Sequence, residues 1–139
     1  MHFPNGTVIT EDQKTLIVGE TFAFRFSAFD VAYDGTLSNR RCWASTGLAL
    51  PDGNCIDTEG QVWFANPMLD ANEVLRMNSR GEITARVSTT QSAFACALGG
   101  ENLSTLYIMT CTSCDRSKID GQSLGAIEVV EVPVKGFSY

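Results

Sequence analysis

A chain of 139 residues, 44% hydrophobic and 19% charged, can bury a real core and is too apolar to remain disordered. Its formal charge of -6 argues against a nucleic-acid partner, which needs basic surface to displace counterions from phosphates. No apolar run approaches the roughly eighteen residues of a membrane span. The amino end, Met1-His2-Phe3-Pro4-Asn5-Gly6, lacks the basic region and apolar stretch of a signal peptide, so a cytoplasmic location without membrane partners is expected.

Short strands follow one another along the chain. Leu16-Ile17-Val18 is an apolar run, and Phe24-Arg25-Phe26-Ser27 alternates. Val62-Trp63-Phe64-Ala65 is apolar throughout, whereas Ile83, Ala85 and Val87 fall on one face with Thr84 and Arg86 on the other. Leu106-Tyr107-Ile108-Met109 is again apolar, and Glu128 to Val132 alternates in part. Period two marks half-buried strands, and the apolar runs predict strands covered on both faces. Turn signals separate them at Asp34-Gly35, Asp52-Gly53, Glu59-Gly60, Arg80-Gly81 and Asp120-Gly121.

Asn66-Pro67 has the form of a helix start, with Pro67 to Met77 as the helix. Internal repetition argues against it. Glu11 to Val18, Thr58 to Ala65 and Gly100 to Met109 are each a polar turn followed by an apolar strand, recurring at roughly 45-residue intervals, about one four-stranded propeller blade. The reading is a single all-β domain over 1–139 with three blades at about 5–43, 52–88 and 93–134, half of a six-bladed propeller. The third blade is short of an outer strand, because only Lys135-Gly136-Phe137-Ser138-Tyr139 remains after Val134. Three blades cannot close a ring.

The cysteines number five, an odd count that suggests no disulfide framework. Cys42, Cys55 and Cys96 read as small hydrophobes. Cys111-Thr112-Ser113-Cys114 spells C-x-x-C, but the chain's one His, His2, leaves a zinc site short of ligands and no helical pattern follows, so a loop without chemistry is the preferred reading.

Two tripeptides match, Pro4-Asn5-Gly6 and Pro51-Asp52-Gly53, 47 residues apart and each preceding the first strand of its repeat. In a propeller that strand lines the central channel, so the Asn5 amide oxygen and the Asp52 carboxylate would converge near the axis as hard ligands for a divalent cation. Ordinary turn chemistry explains the same tripeptides and stands beside the metal reading. The third repeat has Ser92-Ala93 at this place and no strong ligand. Glu20 reads as a loop carboxylate or a neighbour of the pocket, and Arg25, Arg40 and Arg41 as solvated strand faces.

Phe3-Pro4-Asn5-Gly6, Gly19 to Arg25, Ala28-Phe29-Asp30-Val31 and Leu37 to Arg41 occur in series with Pro51 to Asp57, Gly60-Gln61-Val62-Trp63 and Phe94 to Gly100. In order and spacing they resemble the C-terminal half of the gluconolactonase, regucalcin and luciferin-regenerating enzyme family. The resemblance implies a six-bladed propeller with one divalent cation on its axis, calcium foremost and zinc, manganese or magnesium as alternatives. It implies metal-assisted hydrolysis of a lactone or related ester, with Asn5 and Asp52 as metal ligands and Asp52 also as catalytic base. The family's ligand Glu, an earlier Asn and a substrate-binding Arg belong to a half not represented here. A three-bladed chain could close its ring by a two-fold homodimer, since a half-turn about the axis superposes blade n on blade n+3. The rivals are a longer enzyme of which these blades are part, and a metal-binding or interaction module without catalysis.

Overall fold

In the computed structural model, which describes residues 1–137, the chain forms eleven strands in three antiparallel sheets. The first sheet is β1 (Pro4–Ile9), β2 (Thr15–Glu20), β3 (Arg25–Val31) and β4 (Leu37–Ser45), in that order. The second is β5 (Asn54–Ile56), β6 (Val62–Asn66), β7 (Glu73–Met77) and β8 (Ile83–Ser88), again in chain order. The third has β9 (Ser92–Gly99), β10 (Thr105–Cys111) and β11 (Gly125–Glu131). Ser138 and Tyr139, counted above among the residues beyond the third repeat, lie outside the described residues.

Each sheet is a meander whose tight connections are set by side chains. Asp12 takes the hydroxyl of Thr10 (2.7 Å) and the backbone N–H of Lys14 (3.1 Å), closing the β1–β2 turn. Asp57 does the equivalent work between β5 and β6, accepting from the backbone N–H of Glu59 (3.0 Å) and of Gln61 (3.2 Å). The segment from Pro67 to Met77 contains no helix; it turns at Met68 to Ala71 and enters β7, as the repeat register requires.

The sheets pack in sequence order, with β5 against β1 and both β5 and β6 against β9. Two apolar layers fill the spaces between them. Val8, Ile17, Phe26, Ile56, Val62, Phe64 and Leu75 belong to the layer between the first and second sheets. Trp63, Ala65, Val74, Cys96, Leu106 and Ile108 belong to the layer between the second and third. Successive residues of β6 thus point into opposite layers, which is why Val62 to Asn66 is buried at every position. Phe26 of the first sheet meets Phe64 of the second edge-on, with ring centroids 5.3 Å apart. Burying each of these large side chains stabilises the fold by about 1.5–3 kcal/mol.

Three local expectations are corrected. Tyr107 is partly exposed, so Leu106 to Met109 is covered on one face only: the third sheet has a neighbour on one side. Phe24 is not part of an alternating strand; it adopts φ 52° after a 3-10 turn at Thr21–Ala23, and β3 begins at Arg25. A one-turn helix, α1 (Arg116–Ile119), does follow Cys114.

Candidate metal centre

The glycines of the matched tripeptides decide how the first strands meet. A Cβ on Gly6 would lie 2.4 Å from the carbonyl oxygen of Asp52 and 2.6 Å from the backbone nitrogen of Asn54. A Cβ on Gly53 would lie 2.5 Å from the Cβ of Ala95. All three distances are well inside van der Waals contact, so each glycine permits the close approach of one sheet's first strand to the next. Neither has positive φ, and Gly6 lies inside β1. Turn geometry therefore does not account for the Gly of Pro-Asn-Gly, and the two tripeptides form one packed junction.

Asn5 and Asp52 stand beside each other at that junction, both half-buried. Burial pushes the Asp52 carboxyl above its ordinary range, and the side-chain amide of Asn5 and the backbone N–H of Gly53 only partly offset it. The strand end carrying Asp52 is fixed by its backbone: Asp52 N–H bonds the carbonyl of Ala65 (3.1 Å) and Gly53 N–H that of Phe94 (3.0 Å).

Thr21 completes the junction, and reasoning from sequence assigned it no role. It is 5% exposed. Its hydroxyl donates to the carbonyl of Pro51 (2.8 Å) and accepts from Nδ2 of Asn5 (3.3 Å). A hydroxyl has one proton, and Thr21 spends it on Pro51, so toward Asn5 it can only accept. The amide of Asn5 is thereby oriented with Nδ2 toward Thr21. The signal for this role was the position of Thr21 directly after β2, whose last residue pairs with Pro4.

Among the described residues, the other buried or nearly buried carboxylates have cationic partners. Glu20, fully buried at the end of β2, accepts from Ser27 (2.5 Å), Arg40 (2.7 Å), Arg25 (3.2 Å) and the backbone N–H of His2 (2.7 Å). Burial alone would raise its carboxyl, but these donors hold it far below the ordinary range. Glu20 is thus not a solvated loop carboxylate, and Arg25 and Arg40 are not free strand faces; all three are tied into one cluster. Asp57 is paired with Arg76 (2.7 Å) and Glu73 with Arg86. Asp52 has no such ion pair among the described residues.

No group of three or more His, Cys, Asp or Glu that could hold a metal occurs among the described residues. The donors at the junction are a carboxylate without a counter-charge and an amide oxygen. Both are hard oxygen ligands and fit calcium, magnesium or manganese, but they fill only part of the roughly six to eight positions calcium takes. The ring pair Phe3 and Phe22, with centroids 4.8 Å apart, flanks Asn5 and Thr21 in sequence and is exposed.

The family model described as "SMP-30/Gluconolactonase/LRE-like region" matches residues 1–112, and the chain belongs to that family. It is 30% identical to regucalcin of Gallus gallus over 95% of this chain and 46% of that protein. To regucalcin of Danio rerio it is 34% identical over 78% of this chain and 38% of that protein. Among solved structures, a luciferin-regenerating enzyme superposes with TM-score 0.80 at 24% identity, covering 97% of this chain and 47% of that one. A regucalcin from Agrobacterium tumefaciens, described as calcium-binding, superposes with TM-score 0.77 at 20% identity over 96% and 47%. A gluconolactonase from Xanthomonas campestris gives TM-score 0.65 at 30% identity over 78% and 35%. The chain spans about half the length of the curated relatives it matches.

Proposed function

We propose that this chain carries part of a divalent-metal-dependent hydrolase of lactones or related esters, with Asn5 and Asp52 as metal ligands and calcium as the first candidate. The observation that carries the reading is Asp52 itself, a half-buried carboxylate held next to the side-chain amide of Asn5 with no cationic side chain among the described residues to balance it. A bound cation would supply that balance, and its chemistry toward an ester is to polarise the carbonyl and stabilise the developing oxyanion.

The chain's own residues have distinct parts in the reaction. With a cation held there, Asp52 would coordinate through one oxygen and could take the proton of the attacking water on the other. Asn5 presents Oδ1, with its Nδ2 held by Thr21. Phe3 and Phe22 offer an apolar wall for the organic body of the substrate.

The three sheets are read as three blades of a six-bladed propeller, and their closure needs three more. The outer strand β11 leaves Ile127 and Val129 exposed on the three-stranded sheet, which supports a covering partner. A second copy related by a two-fold would bring two Asn5 and two Asp52 to one axis. Further blades of a longer enzyme would bring their own ligands. Sedimentation at micromolar concentration separates the two, because a monomer removes the homodimer.

Hydrolysis of a sugar lactone and an aryl ester, measured with calcium, manganese or zinc, tests the activity. Turnover that is lost in Asp52→Ala supports the hydrolase. Cation binding without turnover would replace it with a metal-binding module.

A further inference from the structure

The sulfurs of Cys55 on β5 and Cys96 on β9 lie 3.9 Å apart, joining the second sheet to the third. Both cysteines are free thiols. Their meeting follows from strand register. Gly53 N–H bonds the carbonyl of Phe94, and Gly53 packs on Ala95, so Cys55 arrives opposite Cys96. Cys55 is half-buried and lines a groove of about 230 Å³ with Thr7, Asn54, Ala97 and Leu98. Cys96 is 5% exposed, and its sulfur also approaches the carbonyl of Trp63 at 3.4 Å.

We propose that Cys55 and Cys96 are a redox-active dithiol, which a small-molecule disulfide closes into a covalent link between the second and third sheets. A disulfide needs its sulfurs at about 2.05 Å, so side-chain rotation and a small strand adjustment must bring them together from van der Waals contact. Cys55, reached from the groove, gives up its proton and attacks one sulfur of the small disulfide RSSR. A mixed disulfide forms on Cys55 and one RSH leaves once the released thiolate is protonated. The sulfur of Cys96, deprotonated in turn, attacks Sγ of Cys55 and expels the second RSH. Two protein thiols are oxidised by two electrons, the small disulfide is reduced to two thiols, and protons balance. The hydrogen bond with Cys55 and burial push the Cys96 thiol up, which makes the second step the slower one.

The surrounding chemistry separates this pair from the C-x-x-C. Cys111 and Cys114 come from one strand end and its loop, with Cys114 exposed. The Cys55–Cys96 bond would instead close a separation of 41 residues and restrain two first strands, one of them next to Asp52.

Folded chain is treated with oxidised glutathione, alkylated, digested and read by mass spectrometry. The expected product is a linked peptide pair containing Cys55 and Cys96, also formed in the Cys111→Ser, Cys114→Ser double variant. Its melting temperature should exceed that of the reduced chain. In Cys96→Ser, glutathione should remain on Cys55, because the resolving sulfur is gone. Recovery of both Cys55 and Cys96 as alkylated thiols after oxidation would overturn the proposal. So would a Cys55–Cys96 link that forms no faster in the folded chain than in urea.

Discussion

The hydroxyl of Thr21 donates to the carbonyl of Pro51 at 2.8 Å and in doing so sets which way the amide of Asn5 faces. One proton thus couples β1 to the strand end that carries Asp52.

Thr21→Val removes this bond while keeping the shape of the side chain. It leaves the Pro51 carbonyl without its donor and should cost about 1–2 kcal/mol in denaturant unfolding. Calcium affinity should fall with it, since Asn5 loses its fixed orientation. Thr21→Ser, which keeps the hydroxyl, should recover most of the affinity. Loss of stability with unchanged cation affinity in Thr21→Val would leave Thr21 a structural residue only.

Asp52 is predicted to cost stability where it is charged. Its carboxyl is raised by burial, so the folded chain holds this proton more tightly than the unfolded one. Stability from this group is therefore greatest below the unfolded value of about 3.8 and declines as pH rises through the folded value. Asp52→Asn should be more stable than wild type at neutral pH by a few tenths to about 1 kcal/mol, discounted for its partial exposure. The difference should vanish in acid, and calcium should narrow it by stabilising wild type alone. Thermal melts across pH, with and without calcium, check all three points.

Glu20 shows the opposite sign. Its carboxyl is held down by Ser27, His2, Arg40 and Arg25 against the cost of burial, so folding favours the ionised form. Its contribution is complete above the unfolded value of about 4.5 and is lost as pH falls through the folded value. Glu20→Gln strips the charge from a fully buried site, leaving Arg25 and Arg40 without it. Because both arginines are partly exposed, a loss of about 1–3 kcal/mol at neutral pH is expected from urea unfolding, shrinking progressively as pH falls below about 4.5.

Gly6→Ala should be poorly tolerated. The added Cβ would meet backbone atoms of Asp52 and Asn54, which cannot rotate away, so the first and second sheets must part. Overpacking of this kind costs about 1–3 kcal/mol. Cation affinity should fall further than in Thr21→Val, because Asn5 and Asp52 are moved apart together.

Much of the strand layout was legible because it rests on local chemistry. The polar turns before the first two apolar runs reappear as the Asp12 and Asp57 turns, and the run from Val62 to Ala65 is buried on both faces as its composition implied. Neighbourhood was harder to see. Leu106 to Met109 has the same composition, yet Tyr107 is exposed, because covering depends on whether a second sheet stands beyond. Glu20 was misread for a related reason: its partners Ser27, Arg25 and Arg40 arrive from other strands, and no local spacing marks a buried carboxylate as paired. Thr21 and the Cys55–Cys96 contact were hidden in the same way, since both depend on inter-sheet contacts. Asn5 and Asp52 were visible as a repeated tripeptide and through the family resemblance; their closeness comes from Gly6, which lets β1 touch the backbone at Asp52 and Asn54.

The most direct measurement is a calorimetric titration of calcium into the wild-type chain and into Asp52→Asn under identical conditions. Saturable binding in wild type that disappears in Asp52→Asn is the predicted result. Equal binding by both chains, or no saturable binding by wild type, would contradict a divalent-cation centre at Asn5 and Asp52.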